Sequence, residues 1–244
     1  MRYFILLLSF VCIGALTLQA QNVFKSDSVQ TKDGSLIITF IGHGTLMFNY
    51  NGIIIHVDPV GRYADYSTMP KADLILVTHQ HGDHLDPDAI NLLKKDKTDI
   101  ICTQTCAEKL ESATVMKNGD IQTLKEISIH AVPAYNLVHK RDNGDPFHPK
   151  GQGNGYVLTF SDKEVYVAGD TENIPEMKDL KNIDIAFLPM NLPYTMTPEM
   201  VADAVKMFHP KILYPYHYGD TNINELLELL KDAKDCEIRV RDMK

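Results

Sequence analysis

Cysteine is scarce in this chain of 244 residues, and basic residues are outnumbered by acidic ones. The sequence has four cysteines, no tryptophan and a net charge of −8. Cys102, Cys106 and Cys236 are too few to describe a disulfide framework, and no partner pair stands at zinc-finger spacing from them. An acidic chain without a Lys/Arg cluster argues against nucleic acid and anionic membranes as partners. The missing tryptophan excludes nothing.

The N-terminus combines a positive start with an apolar run that is too short for a typical membrane span. Arg2 precedes the apolar residues 3–18, and Ala20 offers a small residue for cleavage. This pattern predicts a secretory signal peptide over residues 1–20, with an uncleaved anchor as the alternative. It also predicts export, periplasmic or secreted, without stable membrane insertion after cleavage. Residues 21–35 are predicted to be a loose lead-in, and residues 36–244 suit one domain.

A histidine-rich run at residues 78–84 (Thr-His-Gln-His-Gly-Asp-His) directly follows the apolar residues 74–77 (Leu-Ile-Leu-Val), which predict a short buried strand. Residues two apart on an extended segment project to the same side, so His79 and His81 should face one point. Gly82 lets the chain turn and aim Asp83 and His84 at a second point. Imidazole and carboxylate suit zinc, manganese or iron. The run therefore predicts a site for two divalent metal ions about 3.5–4 Å apart.

Two further candidate ligands follow predicted strands. Asp170 comes after the strand-like residues 163–168, and His217 comes after residues 212–214. A lone aspartate after a strand is more often a helix cap or a turn residue, and a lone histidine between tyrosines is more often packed. The histidine-rich run upstream is what favours the metal interpretation for both.

Together these segments resemble the metallo-β-lactamase-fold hydrolases, and within them the branch that contains ascorbate-6-phosphate lactonase and N-acyl-phosphatidylethanolamine phospholipase D. Further matches lie at residues 40–45 (Phe-Ile-Gly-His-Gly-Thr), 55–59 (Ile-His-Val-Asp-Pro) and 186–189 (Ala-Phe-Leu-Pro). The histidine-rich motif is specific for the fold and poorly specific for the substrate. The resemblance implies an α/β protein of the α+β type, a four-layer αββα sandwich with the metals at the strand ends between the sheets.

The resemblance also assigns roles to individual residues. It implies His79 and His81 on the first metal, Asp83, His84 and His217 on the second, and Asp170 as the bridge, with Asp83, Asp170 and His217 as the catalytic residues. His43 and Asp58 stand where family members place residues that orient the ligands. For His43, a packed histidine in a glycine-rich turn is an equal alternative.

The chain departs from the family pattern at one metal ligand. The first metal usually takes a third histidine from a Pro-Ala-x-His segment, and here residues 133–136 read Pro-Ala-Tyr-Asn. Either the amide oxygen of Asn136 ligates weakly, or another histidine, His139 or His148, completes the site. We favour His148 as a pocket residue and His139 as a solvated loop residue. The substitution predicts that the first metal is the more weakly held.

The resemblance implies a hydrolase in which a metal-bridged hydroxide attacks an ester, a lactone or a phosphodiester of a small molecule, in preference to a β-lactam. Lys150 and the glycine-rich residues 151–155 are candidates to hold an anionic substrate, although one lysine among glycines also fits a solvated loop. The alternative function is a secreted metal-binding or sensing domain without turnover, which the Asn136 substitution favours. The oligomeric state is left open.

Overall fold

The computed structural model describes residues 24–244. Two seven-stranded sheets form its frame, each with its strands side by side in chain order. The first sheet consists of β1 (Lys25–Thr31), β2 (Gly34–Gly42), β3 (Thr45–Tyr50), β4 (Ile53–Val57), β5 (Leu74–Leu76), β6 (Asp99–Cys102) and β7 (Thr114–Val115). The second consists of β8 (Ile121–Leu124), β9 (Ile127–Ala134), β10 (Gly153–Phe160), β11 (Lys163–Val167), β12 (Ile185–Pro189), β13 (Ile212–Tyr216) and β14 (Glu237–Ile238).

Both sheets follow the same plan. Strands β1 to β4 pair antiparallel, and β4 to β7 continue in parallel. The second sheet repeats this order, with β8 to β11 antiparallel and β11 to β14 parallel. Each sheet is therefore antiparallel over its first four strands and parallel over the rest. Parallel neighbours end at the same edge of a sheet, so the loops after them lie close together.

Side-chain caps stand at the starts of three helices. Helix α1 (Pro87–Leu93) starts after Asp86, whose side chain accepts hydrogen bonds from the backbone N–H groups of Asp88 and Ala89. A short α2 (Gln104–Ala107) follows β6. In the second half, the 3-10 helix Pro175–Asp179 precedes α3 (Pro198–Phe208) and α4 (Ile223–Leu229). Thr197 and Asn222 cap α3 and α4: their side chains accept hydrogen bonds from the backbone N–H groups of Met200 and Asn224.

Strand β5 shows how the layers are built. Leu74 and Leu76 belong to the main core, which joins both sheets, whereas Ile75 and Val77 pack into a second core that includes residues of α1 and α2. Successive side chains of a strand point to opposite faces, so a strand that is apolar throughout is covered on both sides. The predicted buried strand is confirmed, and so is the α+β metallo-β-lactamase fold with its four-layer αββα arrangement.

The N-terminal boundary of the domain is wrong in the prediction. Residues 25–31, placed in the loose lead-in 21–35, form β1 and pair along their whole length with β2. Their sequence, Lys-Ser-Asp-Ser-Val-Gln-Thr, has almost no apolar signal because β1 lies at a sheet edge and is mostly exposed. Its attachment depends on distant partners: the Asp27 carboxylate accepts hydrogen bonds from Tyr214 and Arg241. The folded domain thus begins before residue 36.

The predicted signal peptide, residues 1–20, lies outside the described residues. Among residues 24–244, no helix combines the length and the apolar character that a membrane crossing requires. Cys102 and Cys106 are buried free thiols, in agreement with the absence of a disulfide framework, and Cys236 is also free.

Candidate metal centre

Strand ends of both sheets meet at one place. The histidine-rich run follows β5, and Asp58 follows β4. Asp170 follows β11 and His217 follows β13, so the second sheet contributes from the equivalent edge. His148 comes from the long connection between β9 and β10. The predicted ligands of the first sheet and those of the second are thus brought together at the strand ends.

One group of side chains could hold a first metal ion: His79, His81, His148 and Asp170. His81 Nδ1 lies 3.1 Å from His79 Nε2 and 3.2 Å from His148 Nε2. His148 Nε2 lies 3.2 Å from Asp170 Oδ2. Ligand atoms around a tetrahedral zinc ion at its usual bond length are about 3.3 Å apart. The spacing of these atoms therefore fits one small cation among them.

A second group with this capacity consists of His43, Asp83, His84 and His217. Asp83 Oδ2 lies 3.2 Å from His43 Nε2, 3.7 Å from His217 Nε2 and 4.0 Å from His84 Nε2. These distances are on the whole longer than those quoted for the first group. His43 was predicted to orient a ligand, and it contacts the carboxylate of Asp83.

Asp170 lies between the two groups. Its Oδ1 is 3.4 Å from His84 Nε2, and its Oδ2 is 3.5 Å from His217 Nε2 and 3.8 Å from His79 Nε2. Within the described residues, His84 Nε2, both ring nitrogens of His217 and Asp170 Oδ1 are buried without a hydrogen-bond partner. Buried polar atoms are rarely left unsatisfied, so these atoms call for an occupant. A pair of divalent cations fits this donor set.

Asp58 fixes the orientation of His84. Its Oδ2 lies 2.8 Å from His84 Nδ1, and both residues are fully buried. The carboxylate also accepts hydrogen bonds from the backbone N–H and the hydroxyl of Thr78, at 2.7 Å each. A carboxylate that hydrogen-bonds to one ring nitrogen of a histidine sets the tautomer and orients the other ring nitrogen. Asp58 thus leaves His84 Nε2 facing Asp170 and Asp83, as predicted for an orienting residue.

The backbone is strained at three of these positions. His43, Asp58 and His217 adopt the left-handed conformation, with φ of 53°, 46° and 46°. This region is costly for residues other than glycine, and such residues concentrate at functional sites where the surrounding structure enforces them. Here the backbone N–H of His217 donates to the carbonyl of His43 at 3.0 Å, which ties two of the three together.

In the structure, the side chain of Asn136 contacts His148 instead of the other predicted ligands of the first metal. Its Oδ1 faces His148, accepting a hydrogen bond from the backbone N–H at 2.8 Å and lying 2.7 Å from the ring Nδ1. Its Nδ2 donates to Glu172 Oε1 and to the carbonyl of Tyr194. Both ends of the Asn136 amide are therefore hydrogen-bonded. Asn136 contacts His148, and His148 belongs to the first group. His148 is the residue that completes this group.

His139 is not a solvated loop residue. Its Nδ1 lies 2.6 Å from Glu172 Oε1, and Glu172 is fully buried. The same carboxylate accepts hydrogen bonds from the backbone N–H groups of Leu137, Val138 and His139. Burial opposes ionisation of Glu172, but these hydrogen bonds outweigh it and lower its pKa. No motif pointed to Glu172, and its place two residues after Asp170 is the only sequence signal of its importance.

The electrostatics of His79, His81 and Asp170 favour the protonation states that bind metals. By contrast, burial opposes charging of His84, but Asp170 and Asp58 outweigh it and raise its pKa well above the usual value. Burial lowers the pKa of His79 well below its usual value and, together with the neighbouring His148, lowers that of His81 to about 4. Burial opposes ionisation of Asp170, but His217 and His84 hold its pKa well below the usual range. At neutral pH His79 and His81 therefore offer neutral imidazoles and Asp170 an ionised carboxylate, the forms that metals bind.

A pocket of about 300 Å³ opens over both groups. Its outer wall is formed by Arg141, Phe147, Asn191 and Tyr194, none of which the sequence indicated. Lys150, the predicted anion-holding residue, is not part of this lining, because its ammonium group pairs with Glu176 at 2.6 Å. Residues 153–155 of the predicted glycine-rich loop belong to strand β10. Among the residues that the structure describes, the lysine or arginine in this lining is Arg141.

Comparison with known proteins agrees with the fold. Residues 37–217 match the family model described as a beta-lactamase superfamily domain. A UPF0173 metal-dependent hydrolase of Koribacter versatilis is 32% identical over 83% of this chain and 94% of its own length. The chain therefore belongs to the metallo-β-lactamase superfamily, and within it to the family of UPF0173 metal-dependent hydrolases.

Two solved structures share the fold. A crystal structure from Parabacteroides distasonis, described provisionally as a metal-dependent hydrolase, is 55% identical, covers 91% of this chain and 100% of its own, and has a TM-score of 0.87. Igni18, a metallo hydrolase from Ignicoccus hospitalis, is 25% identical, with a TM-score of 0.70 and coverage of 85% of this chain and 95% of its own.

Proposed function

We propose that this metal-dependent hydrolase uses two divalent cations, zinc being the best match, to cleave an ester, lactone or phosphodiester bond in a small molecule. The observation that carries the proposal is Asp170: one buried carboxylate lies within 3.8 Å of ring nitrogens from both groups. Zinc suits three imidazoles with a carboxylate, and manganese or iron remain compatible with the second cation, whose proposed ligands include two carboxylates, Asp83 and the shared Asp170. When bound, such a pair supplies Lewis acidity and lowers the pKa of water toward about 7.

Each site residue has a distinct part in the proposed reaction. His79, His81 and His148 hold the first cation and Asp83, His84 and His217 hold the second, with Asp170 shared. His43 contacts the Asp83 carboxylate and keeps it turned toward His217, and Asp58 keeps His84 in one tautomer. Asp83 is about one-third exposed at the pocket, so it is the carboxylate best placed to accept a proton from the reacting water.

The alternative of a metal-binding domain without turnover loses its main support. That interpretation depended on Asn136 in place of a ligand histidine, and the imidazole of His148 stands in that role. The pocket over the two groups also leaves room for a substrate, which a storage or sensing site does not need.

A substrate panel tests the proposal. Protein stripped of metal and reloaded with zinc or manganese is offered carboxylic esters, lactones, phosphodiesters and β-lactams. We expect metal-dependent hydrolysis of a lactone, an ester or a phosphodiester, reduced about a hundredfold or more in Asp170→Asn. Activity that survives complete chelation would contradict the metal requirement, and a clear preference for a β-lactam would overturn the proposed substrate ranking.

We also propose that the chain is exported, on the support of its positive start and the apolar residues 3–18. Cell fractionation with N-terminal sequencing of the mature protein tests this. A mature chain found with the cytoplasm and still carrying Met1 and Arg2 would contradict it.

A further inference from the structure

The outer wall of the pocket contains one fixed cation. Arg141 begins a tight turn: its backbone N–H donates to the carbonyl of Asp145 at 2.7 Å, and its carbonyl accepts from Gly144 at 2.9 Å. The flanking residues Lys140 and Pro146 pair in an isolated β-bridge. The backbone that carries the guanidinium is therefore held in place beside the pocket.

Aromatic contacts position the side chain of Arg141. Its guanidinium carbon lies 5.1 Å from the centroid of the Phe147 ring, in a cation–π contact. Phe147 in turn packs edge-on against Tyr194, with 5.0 Å between ring centroids. Phe147 immediately precedes His148, so the wall that supports Arg141 is continuous with a proposed metal ligand.

The hydrogen-bond donors of Arg141 are largely unused. Within residues 24–244, no carboxylate oxygen lies within 4.0 Å of its guanidinium, and its hydrogen bond to the carbonyl of Phe147 is long, at 3.4 Å. By contrast, Arg239, Arg241 and Lys150 all pair with carboxylates. A guanidinium is always charged and presents five donors in a planar fork, so this one is free to bind an anion that enters the pocket.

We propose that Arg141 binds a carboxylate carried by the substrate, at a distance from the bond that is cleaved. This proposal rests on the proposed function and deepens it. The bond to be cleaved would lie over the metal groups, and the carboxylate of the substrate would lie at the outer wall. A planar carboxylate matches the guanidinium fork. One guanidinium neutralises one carboxylate charge, whereas a phosphate dianion would leave a charge unpaired beside Phe147. The volume of about 300 Å³ is at the small end for ligand pockets and suits a small acid.

A binding experiment tests the subsite without turnover. Calorimetric titration of the zinc-loaded protein compares glutarate, which has two carboxylates, with monomethyl glutarate, which has one. Wild type should bind glutarate about tenfold more tightly, as expected for one charge-assisted pair near solvent. Arg141→Gln should abolish this preference and Arg141→Lys should restore part of it. Lys140→Gln, which removes the same charge from the same loop outside the pocket lining, should leave the preference intact.

Several results would overturn the proposal. Equal binding of the two acids by wild type would exclude the subsite, and an unchanged preference in Arg141→Gln would place it elsewhere. Equal weakening of both acids would show that Arg141 only supports the loop. If 4-phosphonobutyrate binds through Arg141 more than tenfold more tightly than glutarate, phosphate replaces carboxylate as the ligand.

Hydrolysis of matched esters separates this proposal from the proposed function. The 4-nitrophenyl ester of glutaric acid is compared with the same ester whose free carboxylate is methylated. We expect Arg141→Gln to raise KM for the anionic ester about tenfold and to leave its kcat and the neutral ester little changed. If neither ester, nor any other compound of the substrate panel, is cleaved while the glutarate preference holds, the hydrolase proposal fails and the anion subsite stands.

Discussion

Asn136 connects a buried carboxylate to a proposed metal ligand. Glu172 holds the amide of Asn136, and Asn136 Oδ1 lies 2.7 Å from His148 Nδ1. An acceptor at this position favours the tautomer with hydrogen on Nδ1, so that the lone pair of Nε2 is directed at the cation. The sequence predicts a low affinity for the first metal because a ligand histidine is missing. The position of His148 removes the reason for that prediction.

Asn136→Leu should weaken the first metal about ten- to a hundredfold, the usual effect of removing a residue that orients a ligand. Competition with a chelator of known affinity measures this change. Asn143→Ala, in an exposed loop where the side chain contacts only Asp145, serves as the control. If Asn136→Leu released metal no more readily than the control, Asn136 would have no orienting role.

Gly44 makes room for His84. A Cβ atom at this position would lie 2.7 Å from His84 Cε1, a distance that forces the ring or the backbone to move. Because the ring is packed between Asp58 and Asp170, Gly44→Ala should weaken the second metal by about tenfold or more. Gly82→Ala is the matched control: although the sequence predicts a turn at Gly82, its φ is not among the positive ones and its Cβ would meet nothing within 4 Å, so the turn does not need a glycine. Equal chelator resistance of the two variants would show that His84 can shift at no cost.

Among the elements, β1 depends most on single polar contacts. Burial opposes ionisation of Asp27, but hydrogen bonds from Tyr214 and Arg241 outweigh it and lower the pKa of this carboxyl. A lowered folded pKa stabilises the protein above the unfolded value of about 3.9, and the effect is lost as the pH falls through the folded pKa.

Asp27→Asn should therefore lower the free energy of unfolding by roughly 1–3 kcal/mol at pH 7. The difference from wild type should shrink as the pH falls below about 4. Urea unfolding at several pH values measures it, with Asp142→Asn, an exposed loop carboxylate, as the control. A difference that stays constant down to pH 3 would show that ionisation of Asp27 is not what anchors β1.

The elements that the sequence predicts are those with strong local signals. Leu74–Leu76 is part of a continuous apolar run, so it was predicted as a strand. β1 was not, because its polar residues pair through the backbone and are anchored by residues about 190 to 215 positions away. Edge strands leave little apolar pattern, and sequence periodicity cannot show such partners.

At the scale of the whole molecule, the residues of the metal groups were predictable where they follow strands. The histidine-rich run, Asp170 and His217 all sit at the ends of apolar strands, so the fold that brings them together follows from the strand order. His148 could only be offered as one of several candidates, because the long connection between β9 and β10 has no periodic pattern. Arg141, Phe147 and Tyr194 were missed because the tertiary fold alone brings them to the pocket.

Metal binding should also stabilise the whole domain, because residues from both sheets contribute to the two metal groups. Cations that bind only the folded state stabilise it by about 4 kcal/mol at a thousand times their dissociation constant. We therefore expect the melting temperature to fall on chelation and to recover on adding zinc. Asp170→Asn should show a smaller shift than wild type, since its shared carboxylate is replaced. An unchanged melting temperature after verified removal of metal would contradict this coupling.

The metal content of the zinc-saturated protein tests the central claim most directly. Elemental analysis after removal of free zinc should give two ions per chain for wild type, one for His148→Ala and one for His217→Ala. His209→Ala, an exposed histidine at the end of α3, should still give two. A wild type that binds a single ion at saturation, or two ions in both ligand variants, would contradict a two-metal centre divided between His148 and His217.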